Sequence, residues 1–306
     1  MHPAFSIIVF TTLSGLGYGL AAVLGLGVLD PAALSTKLAY VLALALISGG
    51  LLSSTLHLGN PQRAWRAFSQ WRSSWLSREG VMAVATFLPL LCVAWASVFG
   101  DRYILSAGLL STLGALTTVY CTAMIYASLK SIDAWHTWLT PACYLLLSAS
   151  GGLLLATLFG AAGAPPMTML LVAAIVVLGA AWMTKIAWWR RLRSQAPTST
   201  PESATGLGFI GKVRLFERPH TNDNYLTREM GFRVARKHAA RLSRLAVLAG
   251  GIAPGLLLLI ATIVGQGAAM LWLLAPAVLL FAVGIAVERW LFFAEARHAV
   301  MNYYGG

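Results

Sequence analysis

Charge is what this chain has least of. Only 10% of its 306 residues are Asp, Glu, Lys or Arg, and the acids number 10, whereas soluble domains carry about 25% charged residues. A chain this poor in charge cannot cover a water-facing surface, and its mean hydropathy of +0.74 excludes an ordinary soluble fold. Cysteine is scarce too. Cys92, Cys121 and Cys143 each stand alone in an apolar run. Without a Cys-x-x-Cys pair, neither an iron–sulfur cluster nor a zinc site has a ligand set here, and the thiols read as core packing. A phosphate loop, a Ser-His-Asp set and a metal-ligand cluster are all missing. The six histidines (His2, His57, His136, His220, His238 and His298) fall outside the middle of any apolar run. Facing spans therefore offer no histidine pair for a haem, which leaves a surface haem on His57 as the weaker reading, that of a b-type cytochrome subunit.

What is present is apolar sequence in long runs. A hydrocarbon core roughly 30 Å thick takes about 20 apolar residues as helix. Lipid admits only helices or closed barrels, and unbroken rather than alternating runs select helices. Eight runs of that length occur, at Ala4–Val28, Ser35–Leu56, Gly80–Phe99, Tyr103–Leu129, Pro141–Ala162, Met167–Trp189, Leu245–Gly265 and Ala268–Ala294. The expected fold is an all-α integral membrane protein of eight transmembrane helices with both termini on one side. The first run has no basic lead and no small-residue cleavage pattern after it, so it reads as a retained span. Within it Gly15 and Gly19 form a small-x-x-x-small pair that lets another helix approach. The glycines do not make a nucleotide loop, because no strand precedes them.

Polar residues collect on one side. Counting those at helix ends with their nearest loop, every Lys and Arg other than Lys37 and Arg102 falls on the side of the termini. The positive-inside rule then places that side, with the termini and the large loop, in the cytoplasm, and the short loops lean the same way without the long one. The chain divides into residues 1–189 with spans one to six, a basic loop at 190–244, and residues 245–306 with spans seven and eight. The loop carries 12 Lys and Arg against 4 Asp and Glu, most of the formal net charge of +12. It opens on Trp188-Trp189-Arg190-Arg191, passes a Ser/Thr/Pro-rich linker at 194–206, and ends in Tyr225–Arg244. There Leu226, Met230 and Val234 share one face while Arg228, Arg233, Arg236, Lys237, Arg241 and Arg244 occupy the rest. Such a helix suits an anionic lipid surface or an acidic partner equally well. Nucleic acid is the wrong inference, since the charge follows membrane orientation.

The longest polar interruption in the first half holds the chemistry-bearing residues. It runs from Leu56-His57-Leu58-Gly59-Asn60-Pro61-Gln62-Arg63-Ala64-Trp65 to Ser77-Arg78-Glu79. Imidazole exchanges protons near neutral pH, so His57 at the boundary, with Arg63 and Arg66 nearby, can serve a quinone that takes up or loses protons with its electrons. It can equally cap the end of span two. Glu79, just before span three, either pairs with Arg78 or Arg63 or is a second proton acceptor. Tyr126, Asp133, Trp135, His136, Trp138 and Tyr144 gather around the next loop on that side. Most of these suit an interfacial belt, and Tyr126 and Trp138 are the candidates for flat walls against a quinone ring. Glu288-Arg289 lies in the last turns of span eight, as an ion pair or within reach of the same pocket. A transporter is the third class. Pro89, Pro254 and Pro276 can break spans, but no repeat is visible and almost no polar residue lies deep in a span.

These residues resemble a family. His57-Leu58-Gly59-Asn60-Pro61-Gln62-Arg63-Ala64 with Leu76-Ser77-Arg78-Glu79, and Tyr126-Ala127-Ser128-Leu129-Lys130-Ser131-Ile132-Asp133 with Trp138-Leu139-Thr140-Pro141, are similar to the membrane anchor subunits of dimethyl sulfoxide reductase and its relatives. The match is good over residues 1–165 and vague beyond. Arg214-Leu215-Phe216-Glu217-Arg218-Pro219-His220-Thr221 resembles a longer-looped branch, to which the anchor of the cytoplasmic sulfite dehydrogenase belongs. The resemblance implies a complex of three subunits in the bacterial inner membrane. The molybdenum cofactor belongs to a molybdopterin catalytic subunit and the [4Fe-4S] clusters to a ferredoxin-like iron–sulfur subunit. The anchor binds quinone (ubiquinone or menaquinone) and no metal. The resemblance links the residues matching His57 and Glu79 to the quinone. Arg66, Arg72 and Arg78 are then candidates for docking the iron–sulfur subunit. A cytoplasmic catalytic pair favours sulfite oxidation with electrons passing to the quinone pool. The alternative is a quinol-oxidising anchor of anaerobic respiration, of the dimethyl sulfoxide reductase type.

Overall fold

The computed structural model describes residues 4–55, 60–162, 167–194, 199–214, 216–217, 234–264 and 267–304. Most of these are helical, with no strand among them. Eight helices are long and apolar enough to cross a membrane. They are α1 (Phe5–Leu24), α2 (Leu34–Thr55), α3 (Trp75–Gly100), α4 (Leu105–Ala127), α5 (Leu139–Gly160), α6 (Met167–Ser194), α7 and α8 (Ala268–Ala294). The seventh runs Val234–Val247, passes through a π turn at Leu248–Ile252 and continues over Ala253–Val264. Its first four residues precede the membrane-crossing stretch, which starts at His238. Neither Pro89 in α3 nor Pro276 in α8 ends its helix.

Sequential helices pack as hairpins, and α1 and α5 form the centre. Most of α1 is buried against α2, α4, α5 and α8. Of the two glycines expected to admit a neighbour, only Gly19 does so by size. It meets Gly152 of α5 backbone to backbone, where a Cβ on either would strike the other helix. Gly15 has open space around it. Its carbonyl instead accepts from the Ser148 hydroxyl at 2.6 Å. In lipid, where no hydrophobic force separates helix from solvent, such close packing and inter-helix hydrogen bonds hold the bundle. The same logic serves α7. Its π turn leaves the Gly250 carbonyl to accept from Trp182 Nε1 at 2.8 Å, and the Gly250 and Gly284 backbones touch across α7 and α8. At the far end of the bundle Lys37 pairs with Asp101 at 2.5 Å.

Candidate functional site

Eight alternating helices bring the loop after α2, the start of α3, the end of α4, the start of α5 and the ends of α6 and α8 to one end of the bundle. His57, with Leu56, Leu58 and Gly59, lies outside the described residues. From Asn60 the chain enters a 3₁₀ segment at Pro61–Gln70, with proline in its first turn. Proline fits there because the first helical N–H groups lack partners anyway. Arg63 is exposed, its N–H bonded to the Asn60 carbonyl at 3.0 Å. The segment turns Trp65 (66% exposed), Phe68 and Trp71 outward. Arg66 and Arg72 lie against the rings of Trp65 and Trp71. Three arginines and three aromatic rings exposed along this stretch have the composition of an interface core.

This segment is tied to α3 by its polar residues. The Ser77 hydroxyl donates to the Ala67 carbonyl. Arg78 donates to the carbonyls of Trp71 at 3.0 Å and Arg72 at 2.7 Å, and lies over the Trp75 ring at 4.2 Å. Arg78 therefore binds the loop and is not paired with Glu79. No described basic side chain comes within 4.0 Å of the Glu79 carboxylate. Glu79 is the fifth residue of α3 and 6% exposed. Its carboxylate accepts from the Thr122 hydroxyl of α4. Thr118 lies one turn deeper, 3.2 Å from Thr86, and Tyr18 of α1 is buried. A carboxylate in this position is shielded from bulk solvent and has no counter-ion within 4.0 Å among the described residues.

Beside it stands an aromatic cluster. The Tyr126 ring packs on Trp135, Tyr144, Phe292 and Phe293 with centroids 5.2 to 5.9 Å apart. Trp135 Nε1 donates to the Phe292 carbonyl at 2.9 Å, tying the loop after α4 to α8. His136 Nδ1 is 2.7 Å from the Ala127 carbonyl. Trp138 does not join Tyr126. It begins α5 from the outside, 75% exposed, which is where an interfacial belt residue sits. The structure thus brings Tyr126 near Glu79 and leaves Trp138 on the surface.

Of the two expectations for Glu288-Arg289, the structure shows the ion pair, and it adds Lys185 to it. Lys185 of α6 and Glu288 of α8 are fully buried and paired at 2.6 Å, and the Arg289 Nε lies 3.0 Å from the other Glu288 oxygen. The Lys185 ammonium rests 3.8 Å from the centroid of Trp188, and the Arg289 guanidinium 3.8 Å from that of Tyr144. A cavity of about 20 Å³ touches Arg289, Tyr144 and Thr12, all with buried polar atoms. That is about one water in size. Just past α8, Glu295 accepts from Trp189 Nε1 at 2.8 Å. Burial raises its carboxyl above the ordinary range, against the opposing effect of Lys185. The available signal was Lys185 itself, a cation four residues inside the expected end of span six.

No group of three or more His, Cys, Asp or Glu that could hold a metal occurs among the described residues. In comparisons with known proteins, the family model described as DMSO reductase anchor subunit (DmsC) matches residues 1–294. A sulfite dehydrogenase subunit of Allochromatium vinosum is 33% identical over 330 aligned positions, which cover 99% of this chain and 99% of that protein. No solved structure matches.

Proposed function

We propose, from the premise that this chain belongs to the DMSO reductase anchor subunit family, that it couples a membrane quinone to a sulfite-oxidising catalytic pair. The observation that carries the reading is the buried carboxylate of Glu79, without a described counter-ion and in the second turn of α3, just after a loop that exposes arginine and tryptophan. When bound, a quinone supplies two-electron, two-proton chemistry. The chain's own part is to hold those protons at the lipid boundary. Glu79 has the environment for this, with Thr122 fixing one carboxylate oxygen, and His57 is the expected second group. Tyr126 offers a flat wall backed by Tyr144, Phe292 and Phe293. Lys and Arg contribute elsewhere. Arg66, Arg72 and Arg78, with Trp65 and Trp71, form the surface on which a ferredoxin-like subunit with [4Fe-4S] clusters docks. That partner in turn meets a molybdopterin subunit.

The relative's name, that of a sulfite dehydrogenase, supports the direction. Sulfite and water yield sulfate, two protons and two electrons, and a quinone taking up both electrons and two protons becomes quinol. In the intact complex, sulfite-dependent quinone reduction is expected, and deleting this chain should abolish it while the catalytic pair leaves the membrane and still reduces a soluble dye. Quinone reduction at the same rate without the chain defeats the proposal.

The charge bias supports a cytoplasmic location for the His57 end, both termini and the basic loop, with the chain in a bacterial inner membrane. Ala204 is exposed in that loop. In a background with Cys92, Cys121 and Cys143 replaced by Ala, Ala204→Cys should react with an impermeant maleimide only in inverted vesicles or opened cells. Labelling in intact spheroplasts reverses the orientation.

A further inference from the structure

On the outer side of α6, away from Glu79, the end of that helix and the first half of α7 enclose a groove of about 350 Å³. Its lining divides by chemistry. Arg190, Arg193 and Arg244 stand at one end, with the Ser243 hydroxyl. Ile186, Trp189, Val247, Leu248 and Ile252 form the rest. The division follows the depth of the helices in the membrane. Trp188-Trp189 sits where an aromatic belt is expected, Arg190 begins the polar side, and Leu248 and Ile252 belong to the apolar part of α7. The π turn contributes as well. By carrying Gly250 and Gly251 onto Trp182, it leaves Leu248 and Ile252 facing out, each 50% exposed. A π turn within an α-helix is frequent at functional sites.

We infer that this groove binds an anionic phospholipid, with the phosphate at Arg190, Arg193 and Arg244 and an acyl chain along Val247, Leu248 and Ile252. Charge complementarity selects the occupant. No Asp or Glu lines the groove, and none lies within 4.0 Å of the three guanidinium groups among the described residues. The acid nearest in effect is Glu295, which feels Arg193 but is held by Trp189 Nε1. Three guanidinium groups with no described carboxylate within 4.0 Å suit a phosphodiester whose headgroup adds no positive charge. A zwitterionic lipid brings an ammonium to the same place, and a neutral quinone head leaves the arginines unmatched. Free phosphate has the right charge but gains nothing from the apolar floor. A lipid pinned there bridges α6 to α7 at the point where the chain returns from its basic loop.

The test uses the full chain, delipidated in detergent, with phosphatidylglycerol, phosphatidylcholine or inorganic phosphate added. Phosphatidylglycerol is expected to be retained in native mass spectra and to raise the melting temperature, and the other two to do neither. In Arg193→Gln/Arg244→Gln the affinity should fall about fivefold for each arginine removed. Lys130→Gln/Lys212→Gln, which removes two exposed charges that do not line the groove, should leave it unchanged. Leu248→Trp keeps all three arginines and fills the floor, so it should also expel the lipid. Equal retention of phosphatidylcholine, stabilisation by inorganic phosphate, or equal losses in the two double variants overturns the site.

Discussion

Glu79→Gln is expected to lower quinone-linked turnover of the assembled complex about a hundredfold, the lower end of what a positioned acid–base group contributes. Dye-linked oxidation by the catalytic subunit should stay within twofold. The split follows from the surroundings of the side chain. The carboxylate is buried, bonded to the Thr122 hydroxyl, and without a described cation within 4.0 Å. Glutamine has almost the same shape and keeps an oxygen for Thr122, so packing and that hydrogen bond survive, and the melting temperature should hardly move. What glutamine cannot do is take or give a proton. A structural role predicts the opposite pattern, with stability lost and turnover per folded complex kept. Thr122→Val separates the two further, since it removes the donor but leaves the acid and should cost turnover far less than Glu79→Gln. His57→Ala should give the same split as Glu79→Gln. Full quinone turnover in Glu79→Gln would falsify the assignment of this carboxyl to proton transfer.

The eight spans were legible because lipid makes hydropathy nearly sufficient: a run of about 20 apolar residues has few alternatives to a helix. The ends were less so, and α3 shows why. The apolar run stops at Gly80, but the helix starts at Trp75. Ser77, Arg78 and Glu79 are polar, yet each finds a partner, in Ala67, in the carbonyls of Trp71 and Arg72, and in Thr122. Satisfied polar groups can extend a helix beyond the point where hydropathy turns. In α7 likewise, Arg241 and Arg244 stay helical on an exposed face ahead of the expected start at Leu245. Glu79 was legible as a candidate, but its partner was not, because only the packing of α3 on α4 chooses Thr122 over two nearby arginines. Trp138 and Tyr126 looked alike in sequence, and only the fold puts one outside the bundle and the other within it.

The pairing of Lys185 with Glu288 was hidden for a related reason. Each alone resembles a charge near a helix end, and only the fold, which sets the Lys185 ammonium against the Glu288 carboxylate, reveals them as a pair. The pair and Arg289 make a buried set with one negative and two positive charges, so its members are not equivalent. Glu288→Gln leaves two cations facing each other in a low-dielectric site and should destabilise the chain by about 3–5 kcal/mol, the cost of breaking a buried pair. Lys185→Met leaves Glu288 with Arg289 at 3.0 Å, a neutral pair, and puts a flexible apolar side chain against Trp188, Trp189 and Phe292. Replacing a buried charge by a well-packed apolar group is often neutral when no counter-charge is stranded, so this variant should lose about 1 kcal/mol or less. The double variant, with Arg289 as its one remaining cation, should recover part of what Glu288→Gln loses. Thermal unfolding in detergent and the yield of membrane-inserted protein would rank the three. If Lys185→Met proves the more damaging, charge balance is not what holds α6 to α8. The stacking of the ammonium on Trp188, at 3.8 Å the shortest cation–ring contact of Lys185, would then be the dominant contact.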